Sequence, residues 1–188
     1  SFANLGIHVE PRFILKVVDR YENVLEQSNA ATRKSVADPA QTYIAVSLMQ
    51  SVMDDRQGTA VSARSNGFQR PAGGKTGTSD NFCDNWFIGY TPQITAGVWI
   101  GYDDKTSIGY NQAGSTNALP IWTDFMIAAH ENLPVENFVE PAGIVHETVC
   151  LDSGKKATSG CPHIADEVFL QNQRLEDWCS IHKGRKGI

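Results

Sequence analysis

Gly74-Lys-Thr-Gly-Thr78, followed by Asp84-Asn-Trp-Phe-Ile-Gly-Tyr-Thr-Pro92 and Ile94-Thr-Ala-Gly-Val-Trp-Ile-Gly-Tyr102, is the stretch that decides the fold. Aromatic and β-branched residues dominate the second and third runs, as suits pleated, half-buried strands. The connections are short, with Thr91-Pro92 marking one turn, so the three runs predict an antiparallel meander over residues 72–102. Gly89, Gly97 and Gly101 fall inside strand patterns. A missing side chain there signals close approach by a packed helix or a ligand.

Working outward, Asp38-Pro39 predicts the start of a helix, with Asp38 as N-cap and Pro39 at the first helical position. Tyr43, Val46, Met49, Val52 and Met53 recur at helical spacing and read as a buried stripe, with Gly58 as the stop. Upstream, residues 13–19 and 24–26 flank a polar turn and predict a hairpin, followed by a loop to Asp38. Downstream, Leu119 to His130 predicts a second helix with Ile121, Trp122, Phe125, Met126 and Ala129 on one side. Pro134 and Pro141 bound a linker, and beyond it the sequence turns polar and cysteine-containing. The expected organisation is therefore residues 1–140 as one unit and 141–188 as an appendage. The fold class is α/β in the α+β sense, an antiparallel sheet flanked by helices.

A chain of 188 residues with a formal net charge of -5 has length for one good core and lacks the clustered basic surface that nucleic acid requires. The one dense basic cluster, Lys183-Gly-Arg-Lys186, reads as a tail. No apolar run reaches the roughly 18 residues of a membrane span. The opening Ser1-Phe-Ala-Asn reads like the interior of a domain, so the chain is expected to be part of a longer protein.

The chemistry concentrates on Lys75 through Thr78. An exposed strand edge can hold an extended peptide by main-chain hydrogen bonds. Thr76 and Thr78 add hydroxyls, Lys75 adds positive charge for a terminal carboxylate, and Gly77 leaves the approach clear. Taken together, Lys75-Thr-Gly-Thr78, Asp84 to Pro92, Val98-Trp-Ile-Gly-Tyr-Asp-Asp104, Pro120-Ile-Trp122 and the Val36-x-x-Pro39 helix start resemble class A penicillin-binding proteins, in the family's order and spacing. The resemblance covers nearly the whole chain and implies the C-terminal part of a transpeptidase domain. It implies that the Thr78 amide contributes to an oxyanion hole and that the Thr76 and Thr78 hydroxyls bind the carboxylate of a D-Ala-D-Ala stem. It also implies that Lys75 steadies the charge around a nucleophilic serine. The implied partners are peptidoglycan stem peptides, β-lactams and the N-terminal part of the same protein, at the outer side of the cytoplasmic membrane. No cofactor is implied.

The acylating Ser-x-x-Lys and the Ser-x-Asn of such enzymes both precede the Lys-Thr-Gly strand. Ser153-Gly-Lys-Lys156 and Ser79-Asp-Asn81 match these patterns by letter, but one lies after the strand and the other abuts it, so both are rejected. This chain alone is therefore expected to be inactive. The alternative is a non-catalytic fragment that binds peptidoglycan or a partner, and a β-lactamase ranks third. His8, His130, His146, His163 and His182 pair with no nucleophile motif; Asp84, Asp103 and Asp104 suggest a carboxylate pair or cation site, but Asp103-Asp104 follows a strand and reads as a solvated turn. Cys150, Cys161, Cys179 and His182 could in principle hold zinc, yet only Cys179 and His182 are close in sequence. With the extracytoplasmic setting that the resemblance implies, a disulfide such as Cys150–Cys161 is favoured and no metal is expected. Cys83 reads as a bystander.

Overall fold

The computed structural model describes residues 1–187. In chain order, β1 (Ile7–Val9), β2 (Lys16–Val18), β3 (Val24–Gln27) and β4 (Arg33–Ser35) precede α1 (Pro39–Asp54) and the single turn α2 (Ser62–Ser65). Then come β5 (Gly73–Thr78), β6 (Asp84–Tyr90), β7 (Thr95–Gly101) and α3 (Ala118–Ala129), and finally β8 (Ile144–Cys150), β9 (Lys155–Lys156) and β10 (Ile164–Leu170). β2 and β3 form the expected hairpin, closed by the Asp19 carboxylate, which accepts from the amides of Tyr21 and Asn23. β1 pairs with β4. The central sheet runs β5-β6-β7, wholly antiparallel, and a separate sheet runs β10-β8-β9.

Local chemistry explains the helix starts and stops. Asp38 Oδ1 accepts from the Gln41 amide at 3.0 Å, and Pro39 occupies the first turn, where a missing N–H costs nothing. The helix ends at Asp54, four residues before Gly58. Gly58 serves a different purpose from the expected stop: a Cβ there would lie 2.3 Å from the Val52 carbonyl oxygen. The chain folds back against the last turn of α1, and no larger residue would let it.

One face of the central sheet packs on α3. Trp122, wholly buried, meets Phe87 edge-on at 4.9 Å and Phe68 at 5.3 Å, and its indole N–H donates to the Ala96 carbonyl. Gly89 makes this possible, because a Cβ there would come 2.6 Å from the Trp122 ring. The close approach inferred from glycine inside a strand is thus made by a helix. The buried side of α3 is Ala118, Leu119, Trp122, Thr123 and Met126. Ile121 and Phe125, expected on the same side, are more than half exposed. An almost uniformly apolar helix does not announce its inner face, and the narrow slot above Gly89 decides it. α1 lies against β5, with Met49 over Gly73 and Met53 joining the core around Trp122. The sheet face opposite α3 presents Trp86, Ile88 and Trp99, all at least 40% exposed.

Trp122→Ala should therefore cost about 3–5 kcal/mol, whereas Ile121→Ala should stay within about 0.5 kcal/mol. Urea unfolding of the two variants side by side distinguishes this buried face from the one read off the periodicity.

Candidate functional site at the sheet edge

β5 has a hydrogen-bonded neighbour on one side only, β6. The register sets Lys75 opposite Ile88, Thr76 opposite Phe87, Gly77 opposite Trp86 and Thr78 opposite Asn85. The turn closes with the Ser79 amide donating to the Asp84 carbonyl at 3.0 Å. Backbone polarity alternates along an edge strand. Counting back from Ser79, Gly77 and Lys75 face β6, and the N–H and C=O groups of Thr76 and Thr78 face the open edge.

The side chains are arranged to match. Lys75 Nζ donates to the Thr76 carbonyl at 3.0 Å and to Thr76 Oγ1 at 3.2 Å. Thr78 Oγ1 accepts from the Gly114 amide at 3.2 Å. A hydroxyl that accepts from one donor keeps its proton for an anionic acceptor elsewhere. Thr76 Oγ1 also lies 3.1 Å from Thr59 Oγ1, a contact the sequence reading missed. Thr59 sits in the turn after α1 and carries no motif, so only the packing of α1 on β5 reveals it. An open groove of about 680 Å³ runs past Gly77 and Thr78 between Asp84, Trp86, Trp99 and Lys105. A smaller recess of about 280 Å³ lies between Lys75 and the end of α1.

Asp84 locks the far end of this strand pair. Its Oδ1 accepts from Lys105 Nζ and from the Trp99 indole, each at 2.9 Å, and its own amide donates to Ser79 Oγ. The Lys105 hydrogen bond, then that of Trp99, holds the carboxyl below the usual carboxylate range. Asp104 Oδ1 accepts from the Thr106 amide, a turn role as expected.

Neither rejected serine motif has the backbone its chemistry requires. Ser153 lies in a turn with Gly154 at φ +67°, and Lys156 sits in β9 ion-paired with Glu147 at 3.2 Å. Ser79 Oγ is committed to Asp84, and Asn81 is left-handed at φ +58°. Of the histidines, His130 is buried between the Thr91 hydroxyl and the Met126 carbonyl, while His146 and His163 meet Glu140 and Asp152.

The expected Cys150–Cys161 disulfide is not formed, and all four cysteines are free. Instead Cys150, Cys161, Cys179 and His182 converge, with their ligand atoms all within 4.8 Å of one another. Cys83 stands apart, its thiol 3.8 Å from the Asn81 carbonyl. Sequence spacing concealed the convergence because pairing of residues 156 and 178 folds the last segment back beside β9. Hydrogen bonding from Ser153 is the main cause that lowers the Cys150 and Cys179 thiols, Cys179 to about 6, whereas burial raises that of Cys161.

The penicillin binding protein transpeptidase domain family matches residues 1–126, two-thirds of the chain. The chain belongs to this family. The penicillin-binding protein 1A C-terminal domain family matches residues 140–184. Among curated relatives, penicillin-binding protein 1A of Aquifex aeolicus is 42% identical over 140 residues, 74% of this chain and 19% of its own length. That of Clostridium tetani is 37% identical over 188 residues, 97% of this chain and 23% of its own length. The transpeptidase-family chain thus spans about a fifth of the length of these relatives. The crystal structure of penicillin-binding protein 1A from Haemophilus influenzae superposes with a TM-score of 0.84 over 95% of this chain and 31% of its own, at 20% identity, which establishes a shared fold. A structure of penicillin-binding protein A from M. tuberculosis, an imipenem acyl-enzyme complex, reaches 0.50 over 68% of this chain and 29% of its own, at 16% identity.

The depressed Asp84 contributes stability that is fully present above the unfolded carboxylate value, near 3.8, and is lost as pH falls through its lower folded value. Between pH 5 and pH 2.5 the melting temperature of the wild type should therefore fall more steeply than that of Asp84→Asn. Parallel acid limbs would show that the Asp84 network adds nothing.

Proposed function

We propose that this chain supplies the substrate strand of a peptidoglycan D-Ala-D-Ala transpeptidase and that the nucleophilic serine belongs to a longer form of the protein. The observation that carries the reading is the edge strand itself: Thr76 and Thr78 turn their backbone groups outward, with Lys75 and two threonine hydroxyls beside them. An extended D-alanyl peptide pairs with this edge, and its terminal carboxylate accepts from the Thr76 and Thr78 hydroxyls. The serine oxygen attacks the penultimate carbonyl carbon, and the Thr78 N–H donates to the developing oxyanion. One such donor is worth about 3 kcal/mol in the transition state. D-Ala leaves with a proton, and an amine of a neighbouring stem displaces the serine to form the cross-link.

A β-lactam follows the first half of this path and stays on the serine, as the imipenem acyl-enzyme of the M. tuberculosis protein illustrates for that protein. Among the described residues no helix is long and apolar enough to cross a membrane. Peptidoglycan nonetheless places the site outside the cytoplasmic membrane. Residues 1–140 form the transpeptidase part in this reading, and 141–188 the appendage. The chain by itself is a binding fragment, because neither serine motif it spells has a usable backbone.

Fluorescent penicillin tests the assignment on a longer form that carries the Ser-x-x-Lys serine. Labelling should vanish when that serine becomes Ala, and Lys75→Ala should slow it by about a hundredfold. Thr76→Val or Thr78→Val should slow it at least about tenfold, the scale of one hydrogen bond to a charged group. The 188-residue chain alone should not label. A folded longer form that never labels would leave only the binding reading, equal labelling of Lys75→Ala would remove Lys75 from the site, and catalytic turnover of the penicillin would make it a β-lactamase.

A further inference from the structure

The segment after residue 141 has almost no core of its own. Its buried cluster consists of Cys150, Ala157 and Cys179, with Cys161 packed against them. A unit this small needs a covalent or metal staple to offset the entropy of ordering its loops. We propose that Cys150, Cys161, Cys179 and His182 bind one zinc ion in a tetrahedral structural site.

Geometry supports this choice over a disulfide. Zinc–sulfur bonds of about 2.3 Å and zinc–nitrogen bonds of about 2.0–2.1 Å put tetrahedral ligands about 3.6 Å apart for N···S and about 3.8 Å for S···S. His182 Nδ1 lies 3.5 Å from both Cys150 Sγ and Cys179 Sγ. A disulfide would join two of the three sulfurs at about 2.05 Å, strand the third, and give the imidazole no reason to face them.

The surroundings of the four ligands match a metal site as well. The Thr158 amide donates to Cys161 Sγ at 3.2 Å, and the His182 amide donates to Cys179 Sγ at 3.4 Å. Backbone N–H groups aimed at sulfur stabilise thiolates, the form that zinc needs. On its other side the imidazole meets a carboxylate, with His182 Nε2 3.5 Å from Asp152 Oδ2. Such a carboxylate fixes the tautomer that leaves Nδ1 free to ligate. Three sulfurs and one nitrogen with no position left open make a structural site rather than a catalytic one.

The site also explains the path of the chain. Cys150 ends β8, Cys161 follows the turn after β9, and Cys179 and His182 lie on the returning segment, whose Cys179 amide donates to the Lys156 carbonyl at 2.8 Å. One ion ties these three strands of chain together where apolar packing cannot.

The test uses the full 188-residue chain and does not depend on acylation. Elemental analysis of protein purified without chelator should give one zinc per chain. After metal removal, denatured protein should titrate as four free thiols. Cobalt(II) put in place of zinc should show the intense visible bands of tetrahedral coordination together with thiolate charge transfer. Cys161→Ser and His182→Ala should each weaken cobalt binding at least about tenfold, and Asp152→Asn by about 10–100-fold, while Cys83→Ser should bind as wild type does. A metal-free chain with two titratable thiols and the mass of a disulfide would overturn the proposal, as would a six-coordinate cobalt spectrum. If the cysteine or histidine variants do not fold, wild-type metal content, thiol count and cobalt spectrum decide by the same criteria.

Discussion

The pairing of β5 with β6 is the constraint on which everything else rests. β6 is bound on both sides and held from below by Trp122, so its position is over-determined. β5 is bound on one side and inherits its place from β6 through the register that sets Thr78 opposite Asn85. Slipping that register by one residue would exchange the backbone groups facing β6 for those facing the edge and turn every side chain to the opposite face. The Thr76 and Thr78 backbone groups would then leave the open edge, and the Lys75, Thr76 and Thr78 side chains would each change face. The Asp84 cluster at one end and Tyr90, whose phenol donates to Met49 Sδ at 3.5 Å, at the other bracket the strand pair against such a slip.

Much of this fold was legible in the sequence because local rules and tertiary packing agree. Asp38-Pro39 starts α1 as its chemistry dictates, and the three strands of the meander stand where β-branched and aromatic residues accumulate. Legibility failed where one contact outranked a pattern. Ile121 and Phe125 are as apolar as Leu119 and Met126, so periodicity could not choose between the sides of α3. Gly58 looked like a helix stop because glycine often is one, and its actual task, admitting a returning chain, depends on a neighbour that no local rule identifies. In the site, Lys75 through Thr78 were visible as letters on a strand. Thr59 and Gly114 were not, since they reach Thr76 and Thr78 through loops.

The two false serine motifs show why letters need a backbone. Ser-x-x-Lys has meaning only within one helical turn, where the third residue after serine comes back to the same face. Gly154 at φ +67° breaks any such turn, and Lys156 is held by Glu147 and by the Trp178 ring, 5.8 Å away. The same four letters therefore specify a tight turn into a strand. Order along the chain had already argued against them, and conformation supplies the physical reason.

The two sheets solve the same problem, holding short strands in place, by different means. The central sheet buries Phe87, Trp122, Met126 and Leu119 against one another, so apolar area carries its stability. The β10-β8-β9 sheet buries only Val149 and Cys150 within its strands, and Ala157, Thr158 and Cys179 are buried beside it. A buried thiol contributes little packing surface for its place in a core, whereas a ligand atom contributes a strong and directional bond once a metal is present. Three of the four cysteines lie in that small cluster, and the fourth, Cys83, lies in a loop with no sulfur beside it. Burying sulfur at the one point where β8, the turn after β9 and the returning segment meet is the arrangement expected when coordination, and not apolar area, closes the sheet.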